Sequence, residues 1–125
     1  MGDRSNVKII DGTDKAIFLY CHWCGDSLLK TVHKALSRKQ RWSDESYLSR
    51  IVFCEMLRYG YRDNPLKAFD DECSFGISSY EPENEYKNIT LDCEKEEITV
   101  GSLKSSFEEF VSAPEKMMKH YKGEQ

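Results

Sequence analysis

The sequence predicts a small α+β domain of two layers, in which an antiparallel or mixed sheet packs against three helices. Strand-like and helix-like segments occur in blocks, in the order ββααβββα, rather than in strict alternation. The chain has 125 residues, which suits one domain, and no apolar run reaches the roughly 18 residues that a membrane span needs. We therefore expect one domain over residues 1–121 and a frayed tail over residues 122–125.

The first three elements are predicted from hydrophobic spacing. A β-rich run at residues 7–10 and an apolar run at residues 16–20 flank the turn dipeptide Asp11-Gly12, which predicts a hairpin. Apolar residues then recur at helical spacing over residues 28–36, which predicts the first helix.

The second helix and three further strands follow. Ser43 is a suitable N-cap, and Gly60 is a residue type that commonly ends helices, so we expect a helix between them. After a polar connection, strand signals return at residues 75–80, 86–92 and 97–100.

The last helix is predicted from a capping box. Ser105 and Glu108 have the required spacing and precede the apolar residues Phe107 and Phe110. Pro114 should break or restart this helix, because proline cannot donate the backbone hydrogen bond.

Charge is unevenly distributed along the chain. The formal net charge is −4, but residues 1–59 carry +3 and residues 60–125 carry −7. An acidic domain is not expected to bind nucleic acid directly. An acidic surface can instead attract a basic protein partner. The acidic residues predicted to form that contact surface are Asp70, Asp71, Glu72, Glu81, Glu83, Glu85 and Asp92.

The five cysteines are an odd number, and the first residues lack the apolar region of a secretory signal peptide. We therefore expect reduced thiols in a cytoplasmic protein rather than a disulfide framework.

Cys21 and Cys24 form a CxxC motif at the end of a predicted strand, where redox dithiols occur. A thioredoxin-like fold would need another strand after the first helix, and here a second helix follows directly. Together with His22, the two cysteines could also supply zinc ligands. A structural zinc site needs four ligands, however, and the sequence holds no second CxxC or HxxxH.

A ligand pocket is the other use of this stretch. A strand-end His beside a Trp could line a small site, and an anion there would meet backbone N–H groups at the start of the next helix. A basic stripe on that helix could contribute to the same site, although a solvated helix face is the simpler explanation of the stripe. The candidate ligand-binding residues are His22, Trp23, Asp26, Ser27, Lys30, Lys34 and Arg38.

Several short segments together resemble a family of short bacterial and phage proteins with no known activity. They are the start MGDRSN, the segment FLYCHWCG at residues 18–25, the stretch WSDESYLSRI at residues 42–51, FGIS at residues 75–78 and Asn84-Glu85. Members of that family begin MGDRxN and carry a Tyr-x-His-Trp-Gly-Gly segment. This chain has Cys24 where they have Gly, which turns attention from the thiols to His22 and Trp23. The resemblance implies a cytoplasmic α+β domain in a phage or mobile-element setting.

Three functional hypotheses follow. The first is a small non-enzymatic binding protein that engages a host or phage macromolecule, with a protein as the expected partner. The second is a pocket protein that sequesters or hydrolyses a small anionic ligand such as a nucleotide. The third is a zinc or thiol-redox protein that uses Cys21 and Cys24. We assign no catalytic residue, no cofactor, no metal and no membrane association, and we leave homo-oligomerisation open.

Overall fold

A computed structural model of the chain describes residues 3–60 and 75–123. Six strands and four α-helices lie in these ranges, and a short 3-10 turn (Gly25–Ser27) precedes the first helix. In chain order the elements are β1 (Ser5–Ile10), β2 (Ala16–Cys21), α1 (Leu28–Leu36), α2 (Glu45–Gly60), β3 (Phe75–Ser78), β4 (Ile89–Asp92), β5 (Glu97–Val100), β6 (Leu103–Ser106), α3 (Phe107–Ser112) and α4 (Glu115–Tyr121).

The strands form one mixed sheet in the order β3-β2-β1-β4-β5-β6. The predicted β1–β2 hairpin is confirmed, with Ser5 opposite Cys21 and Ile10 opposite Ala16. β1 also pairs in parallel with β4, whereas the remaining strand pairs are antiparallel. β1 therefore lies near the middle of the sheet and joins its two halves.

One face of the sheet packs against the helices and forms the core. Side chains alternate between the two faces of a strand, so every second residue of the inner strands points to this layer. The strand residues of the core are Val7, Ile9, Leu19, Cys21, Ile89, Leu91, Ile98 and Val100. The larger helix residues that meet them include Leu29, Val32, Leu36, Leu48, Val52, Met56, Phe107, Phe110 and Tyr121.

Part of the opposite face is crossed by the chain between β3 and β4. The Asn6 side chain points to this face, because its neighbours Ser5 and Val7 point to the core. Asn6 Nδ2 donates to the Pro82 carbonyl at 3.3 Å, and Asn6 is almost fully buried. The segment around Pro82 therefore passes over β1 on the side away from the helices.

The α+β class and the mixed sheet are confirmed, but the predicted three helices and the order ββααβββα are wrong in detail. The last predicted helix is two helices, since α3 ends at Ser112 and α4 begins at Glu115, after Pro114. β6 was not predicted, because its sequence LKSS holds a single apolar residue. It pairs with β5 at the edge of the sheet, where a strand needs little burial.

Two predicted caps are each displaced by one residue. Tyr47 N donates to Asp44 Oδ1 at 3.3 Å, so Asp44 rather than Ser43 caps α2. Glu109 N donates to Ser106 Oγ at 3.0 Å, so Ser106 rather than Ser105 caps α3. β6 continues through Ser106, which moves the start of this helix one residue along the chain.

The predicted connection between α2 and β3 lies outside the described residues. Among the helices that the structure describes, none combines the length and the apolar character that crossing a membrane would require.

Candidate functional site

Backbone and side-chain hydrogen bonds join several segments of the chain at the corner where β1 begins and β2 ends. We call Asp3, Arg4 and residues 22–25 the N-terminal corner. Asp3 N donates to the His22 carbonyl at 2.7 Å, and Gly25 N donates to the Asp3 carbonyl at 2.7 Å. A Cβ atom at Gly25 would lie 2.6 Å from the Asp3 carbonyl oxygen. Glycine is therefore needed for this close approach of two backbones.

The Asp3 carboxylate ties this corner to two other segments. It accepts a hydrogen bond from the Tyr86 hydroxyl through Oδ1 and one from Asp26 N through Oδ2, the latter at 3.2 Å. Burial raises the pKa of Asp3, but these hydrogen bonds outweigh it and hold the pKa below its usual value. The ligand-pocket hypothesis places an external anion at the backbone N–H groups of residues 26–29. The chain's own Asp3 carboxylate bonds one of them.

Tyr121 joins the last helix to the same corner. Its buried hydroxyl donates to the Gly25 carbonyl at 2.5 Å and is hydrogen-bonded to Ser5 Oγ at 2.8 Å. Its ring stacks on Tyr86 with 5.1 Å between the ring centroids. Burial raises the pKa of Tyr121, so the hydroxyl stays protonated as a donor.

His22 is held in one orientation by two neighbours. Arg4 Nε donates to His22 Nδ1 at 3.3 Å, and the Tyr20 hydroxyl lies 2.9 Å from the same nitrogen. Because an arginine Nε can only donate, Nδ1 is the acceptor and Nε2 carries the proton in the neutral ring. The Trp23 ring packs edge to face against the His22 ring, with 4.4 Å between the ring centroids. Trp23 is 64% exposed. The corner thus presents a protonated His22 Nε2 beside an exposed indole.

Arg4 also connects the corner to the acidic segment at residues 81–85. Its Nη1 lies 2.7 Å from Glu83 Oε2. Its backbone N donates to Glu85 Oε2 at 3.2 Å, and its carbonyl accepts from Glu85 N at 3.0 Å. Glu81, Glu83 and Glu85 are all exposed, and two of them, Glu83 and Glu85, bond Arg4, which itself contacts His22.

The remaining predicted acidic contacts do not join this group. Asp92 ends β4, away from the corner, and its Oδ1 accepts from Glu94 N and Lys95 N at 3.0 and 3.1 Å. Asp92 therefore caps the β4–β5 turn. Asp70, Asp71 and Glu72 lie outside the described residues.

The predicted basic stripe is divided by the structure. Arg38 forms an ion pair with Glu55, which also pairs with Arg58 at 3.1 Å, so Arg38 contributes to the α1–α2 contact. Lys30 and Lys34 are exposed on α1.

The two polar residues before α1 have separate contacts. Asp26 donates its backbone N–H to Asp3, and Ser27 Oγ lies 2.9 Å from the Tyr59 hydroxyl of α2. Lys30, Lys119 and Lys122 instead line a shallow cavity of about 130 Å³ between α1 and α4, together with Asp26. The predicted ligand-binding residues therefore do not form one pocket.

Cys21 and Cys24 are both free thiols, the first buried and the second half-buried. No set of three His, Cys, Asp or Glu side chains within residues 3–60 and 75–123 is placed to hold a metal ion. His22 is accordingly not brought together with the two thiols as a ligand set.

Sequence patterns missed Asp3 and Arg4 as members of the corner, and they missed Tyr20, Tyr86 and Tyr121 as side chains that contact it. The predicted hairpin does indicate the position of Asp3 and Arg4. With Asp11-Gly12 as the turn, antiparallel register places the residues before β1 beside those after β2. Tyr86 and Tyr121 contact the corner across 83 and 116 residues of sequence, measured to Asp3 and Ser5.

Three of the five segments on which the resemblance rests meet at this corner. Asp3 and Arg4 from the first segment contact His22 and Gly25 from the second, and Glu85 lies on Arg4. No protein-family model matches the chain, and no curated protein or solved structure matches it.

Proposed function

We propose that this protein is a non-enzymatic binding protein that engages a basic protein partner through the N-terminal corner and the acidic segment at residues 81–85. The observation that carries the proposal is Trp23, which is 64% exposed although the backbone on both sides of it is hydrogen-bonded to Asp3. Tryptophan is enriched among the residues that dominate binding energy at protein interfaces. A backbone that hydrogen bonds already hold in place also loses little conformational entropy on binding.

The charges around Trp23 favour a partner that carries Lys or Arg. The exposed residues Glu83 and Glu85 bond Arg4 through their carboxyl groups. Exposed Glu81 and Tyr80, the latter at 75% exposure, precede them in the chain. Carboxylates steer a cationic partner toward the surface. Exposed aromatic rings can then hold its guanidinium or ammonium groups by cation–π contact.

The geometry of His22 supports binding rather than catalysis. Its Nδ1 lone pair is engaged by Arg4, and its Nε2 carries the proton. The neutral ring therefore has no free lone pair with which to remove a proton from a substrate. His22 Nε2 can still donate a hydrogen bond to a partner's carbonyl or carboxylate.

The first test is a native mass spectrum of tagged protein purified gently from host lysate, followed by titration of any bound subunit. We expect Trp23→Ala to weaken binding at least tenfold, because removing an interface anchor typically costs about 2 kcal/mol. Tyr47→Ala is the matched control, since Tyr47 is an exposed aromatic residue on α2. Equal affinities for wild type and Trp23→Ala would contradict the proposal.

The electrostatic part has its own test. Glu81, Glu83 and Glu85 are changed together to Gln, and Glu94, Glu108 and Glu115 are changed together as a charge-matched control. We expect the first variant to associate more slowly and with weaker salt dependence, and the control to match wild type. If the control variant also associates more slowly and with weaker salt dependence, the net charge of the protein attracts the partner, and not this segment.

A second candidate function rests on the cavity between α1 and α4. Three lysines line it, so we propose a small phosphate-bearing ligand as its occupant, in place of a partner protein. Inorganic phosphate and a panel of nucleotides at millimolar concentration should then raise the thermal unfolding midpoint. Lys30→Gln with Lys119→Gln should remove that shift, and the absence of any shift would exclude this function.

A further inference from the structure

A cavity of about 340 Å³ lies beside β6, the strand at one edge of the sheet. Leu103 of β6, Phe110 of α3 and Met117 of α4 supply its apolar lining, and the last two are buried core residues. Ligand pockets in proteins have volumes of roughly 300–1,000 Å³. The cavity can therefore receive a side chain of a bound molecule, and none of its lining residues belongs to the N-terminal corner.

The main chain of β6 has free hydrogen-bonding groups on its outer edge. Phe107 N donates to the Glu96 carbonyl at 2.8 Å, which fixes the hydrogen-bonded positions of the β5–β6 ladder. Such positions alternate along an antiparallel pair, so Leu103 and Ser105 bond β5, whereas the Lys104 N–H and C=O point away from it. Within residues 3–60 and 75–123, no strand pairs with this edge. Lys104 can therefore bond the main chain of an added strand.

The cavity and the free edge lie next to each other. Leu103 is opposite the core residue Val100, so its side chain is on the helix side of the sheet, where the cavity lies. The Lys104 side chain points to the other face, where its Nζ is 3.9 Å from Glu97 Oε1. Lys104 nevertheless lines the cavity, so its free main-chain groups border it.

The unpaired charge at the rim of the cavity is positive. Glu109 lines the cavity, and its Oε1 accepts a hydrogen bond from Ser105 Oγ at 3.1 Å. Lys116, exposed on α4, also lines the cavity and forms no ion pair with any residue that the structure describes. An occupant that carries a carboxylate is complementary to this lysine.

We propose that β6 and its cavity bind an extended segment of a partner protein, which adds to the sheet as a further strand. The main chain of the segment bonds the N–H and C=O of Lys104, and side chains at every second position face the helix side. One apolar side chain enters the cavity, and an Asp or Glu two residues from it meets Lys116. The sequence of β6, LKSS, has no such carboxylate, so a second copy of this edge does not fit the pattern. This surface is separate from the one proposed above.

The test titrates isotope-labelled full-length protein with the peptide Thr-Leu-Thr-Glu-Thr, blocked at both ends, up to millimolar concentration. The Thr between Leu and Glu is the residue that pairs with Lys104. We expect the largest changes in amide NMR shifts at Lys104 and along β6, with Trp23 unchanged. The same peptide N-methylated at that Thr cannot donate to the Lys104 carbonyl and should bind at least about tenfold more weakly.

Two variants of Lys104 separate the main chain from the side chain. Lys104→Pro removes the outward N–H without removing a hydrogen bond to β5, because proline is tolerated where the N–H of an edge strand faces solvent. It should lose binding of the Thr-Leu-Thr-Glu-Thr peptide. Lys104→Gln keeps the N–H and should bind as wild type does. If Lys104→Pro fails to fold, the N-methylated peptide still decides the question on wild-type protein.

A charge exchange tests the role of Lys116. Lys116→Glu should weaken binding of the Thr-Leu-Thr-Glu-Thr peptide about threefold, and a peptide with Lys in place of its Glu should restore it. Lys95→Glu, at an exposed position in the β4–β5 turn, changes the net charge equally and should have no effect.

Three results would show that the β6 edge is not a peptide site. They are the absence of shifts at millimolar peptide, shifts confined to the N-terminal corner, and equal binding of the N-methylated peptide. The proposal is also wrong if the protein alone sediments as a dimer that Lys104→Pro converts to a monomer, because the edge is then occupied by a second copy.

Discussion

The two ends of the sheet are constructed differently. At the N-terminal corner, side chains from four distant segments meet: Asp3 with Arg4, residues 22–25, residues 81–86 and Tyr121. At the opposite end, the turns are closed by their own residues. Asp11 Oδ1 accepts from both Thr13 N and Thr13 Oγ1, and Asp92 Oδ1 accepts from the two residues of the next turn.

The opposite end of the sheet is stabilised by local contacts, whereas the corner is stabilised by tertiary contacts. A turn closed by an Asx hydrogen bond is stabilised by its own few residues. The corner exists only when the hairpin, the β3–β4 connection and α4 are all in place. Substitutions at the corner should therefore destabilise the whole fold, while those at the opposite end should have small effects.

The largest expected effect is that of Gly25→Ala. The added Cβ would lie 2.6 Å from the Asp3 carbonyl oxygen and 3.0 Å from the Tyr86 ring. The backbone at Gly25 or at Asp3 must therefore move. We expect a loss of about 3 kcal/mol in the free energy of unfolding, measured by urea denaturation. Gly76→Ala is the control, since no described atom lies within 4 Å of its Cβ position, and it should change stability by less than about 1 kcal/mol.

Tyr121→Phe tests the buried hydroxyl of the corner. It leaves the Gly25 carbonyl without its side-chain donor and removes the partner of Ser5, at a cost of about 2 kcal/mol. Tyr47→Phe at an exposed position should change the free energy of unfolding by less than about 0.5 kcal/mol. If the two substitutions have equal effects, Tyr121 does not anchor α4 to the corner.

Asp3→Asn tests the charged acceptor. One carboxylate oxygen becomes an NH₂ group that faces a donor, so stability at neutral pH should fall by about 1 kcal/mol. The pKa of Asp3 is lowered in the folded state, so its contribution is present above the pKa of the unfolded chain and is lost as pH falls through the folded-state value. The difference between wild type and variant should therefore shrink in urea denaturation as pH falls below the pKa of Asp3 in the unfolded chain and through its lower folded-state pKa. If the difference in the free energy of unfolding between wild type and Asp3→Asn stays constant with pH, the loss of stability comes from packing and not from the charge of Asp3.

Thr13→Ala should have the smallest effect, at the opposite end of the sheet. It removes the hydroxyl that accepts from Lys15 N and donates to Asp11, within one exposed turn. We expect a change of about 0.5 kcal/mol or less in the free energy of unfolding. A loss as large as that of Tyr121→Phe would remove the contrast between the two ends.

The elements of this fold could be predicted where local pattern decides them. The β1–β2 hairpin follows from two apolar runs around Asp11-Gly12, and α1 from the helical spacing of its apolar residues. β6 could not be predicted, because its four residues form a strand only through pairing with β5.

The candidate site was only partly predictable, for the same physical reason. His22 and Trp23 stand out locally, as a polar and an aromatic residue at a strand end. Asp3, Tyr86 and Tyr121 look like ordinary polar or aromatic residues until tertiary contacts bring them together. The hydrogen bond from Asp26 N to the Asp3 carboxylate also depends on tertiary structure, so local sequence does not predict it.

The parallel pairing of β1 with β4 has a kinetic consequence. The β1–β2 hairpin and the β4–β5–β6 meander are local units that can form early, on the microsecond scale known for hairpins. Joining them closes a loop of roughly 80 residues between Val7 and Ile89, so the seam between them forms late. The hydrogen bond from Tyr86 to Asp3 crosses that seam and forms with it. We expect it to act mainly on the rate at which the native state opens, and hence on its lifetime, rather than on the rate of folding.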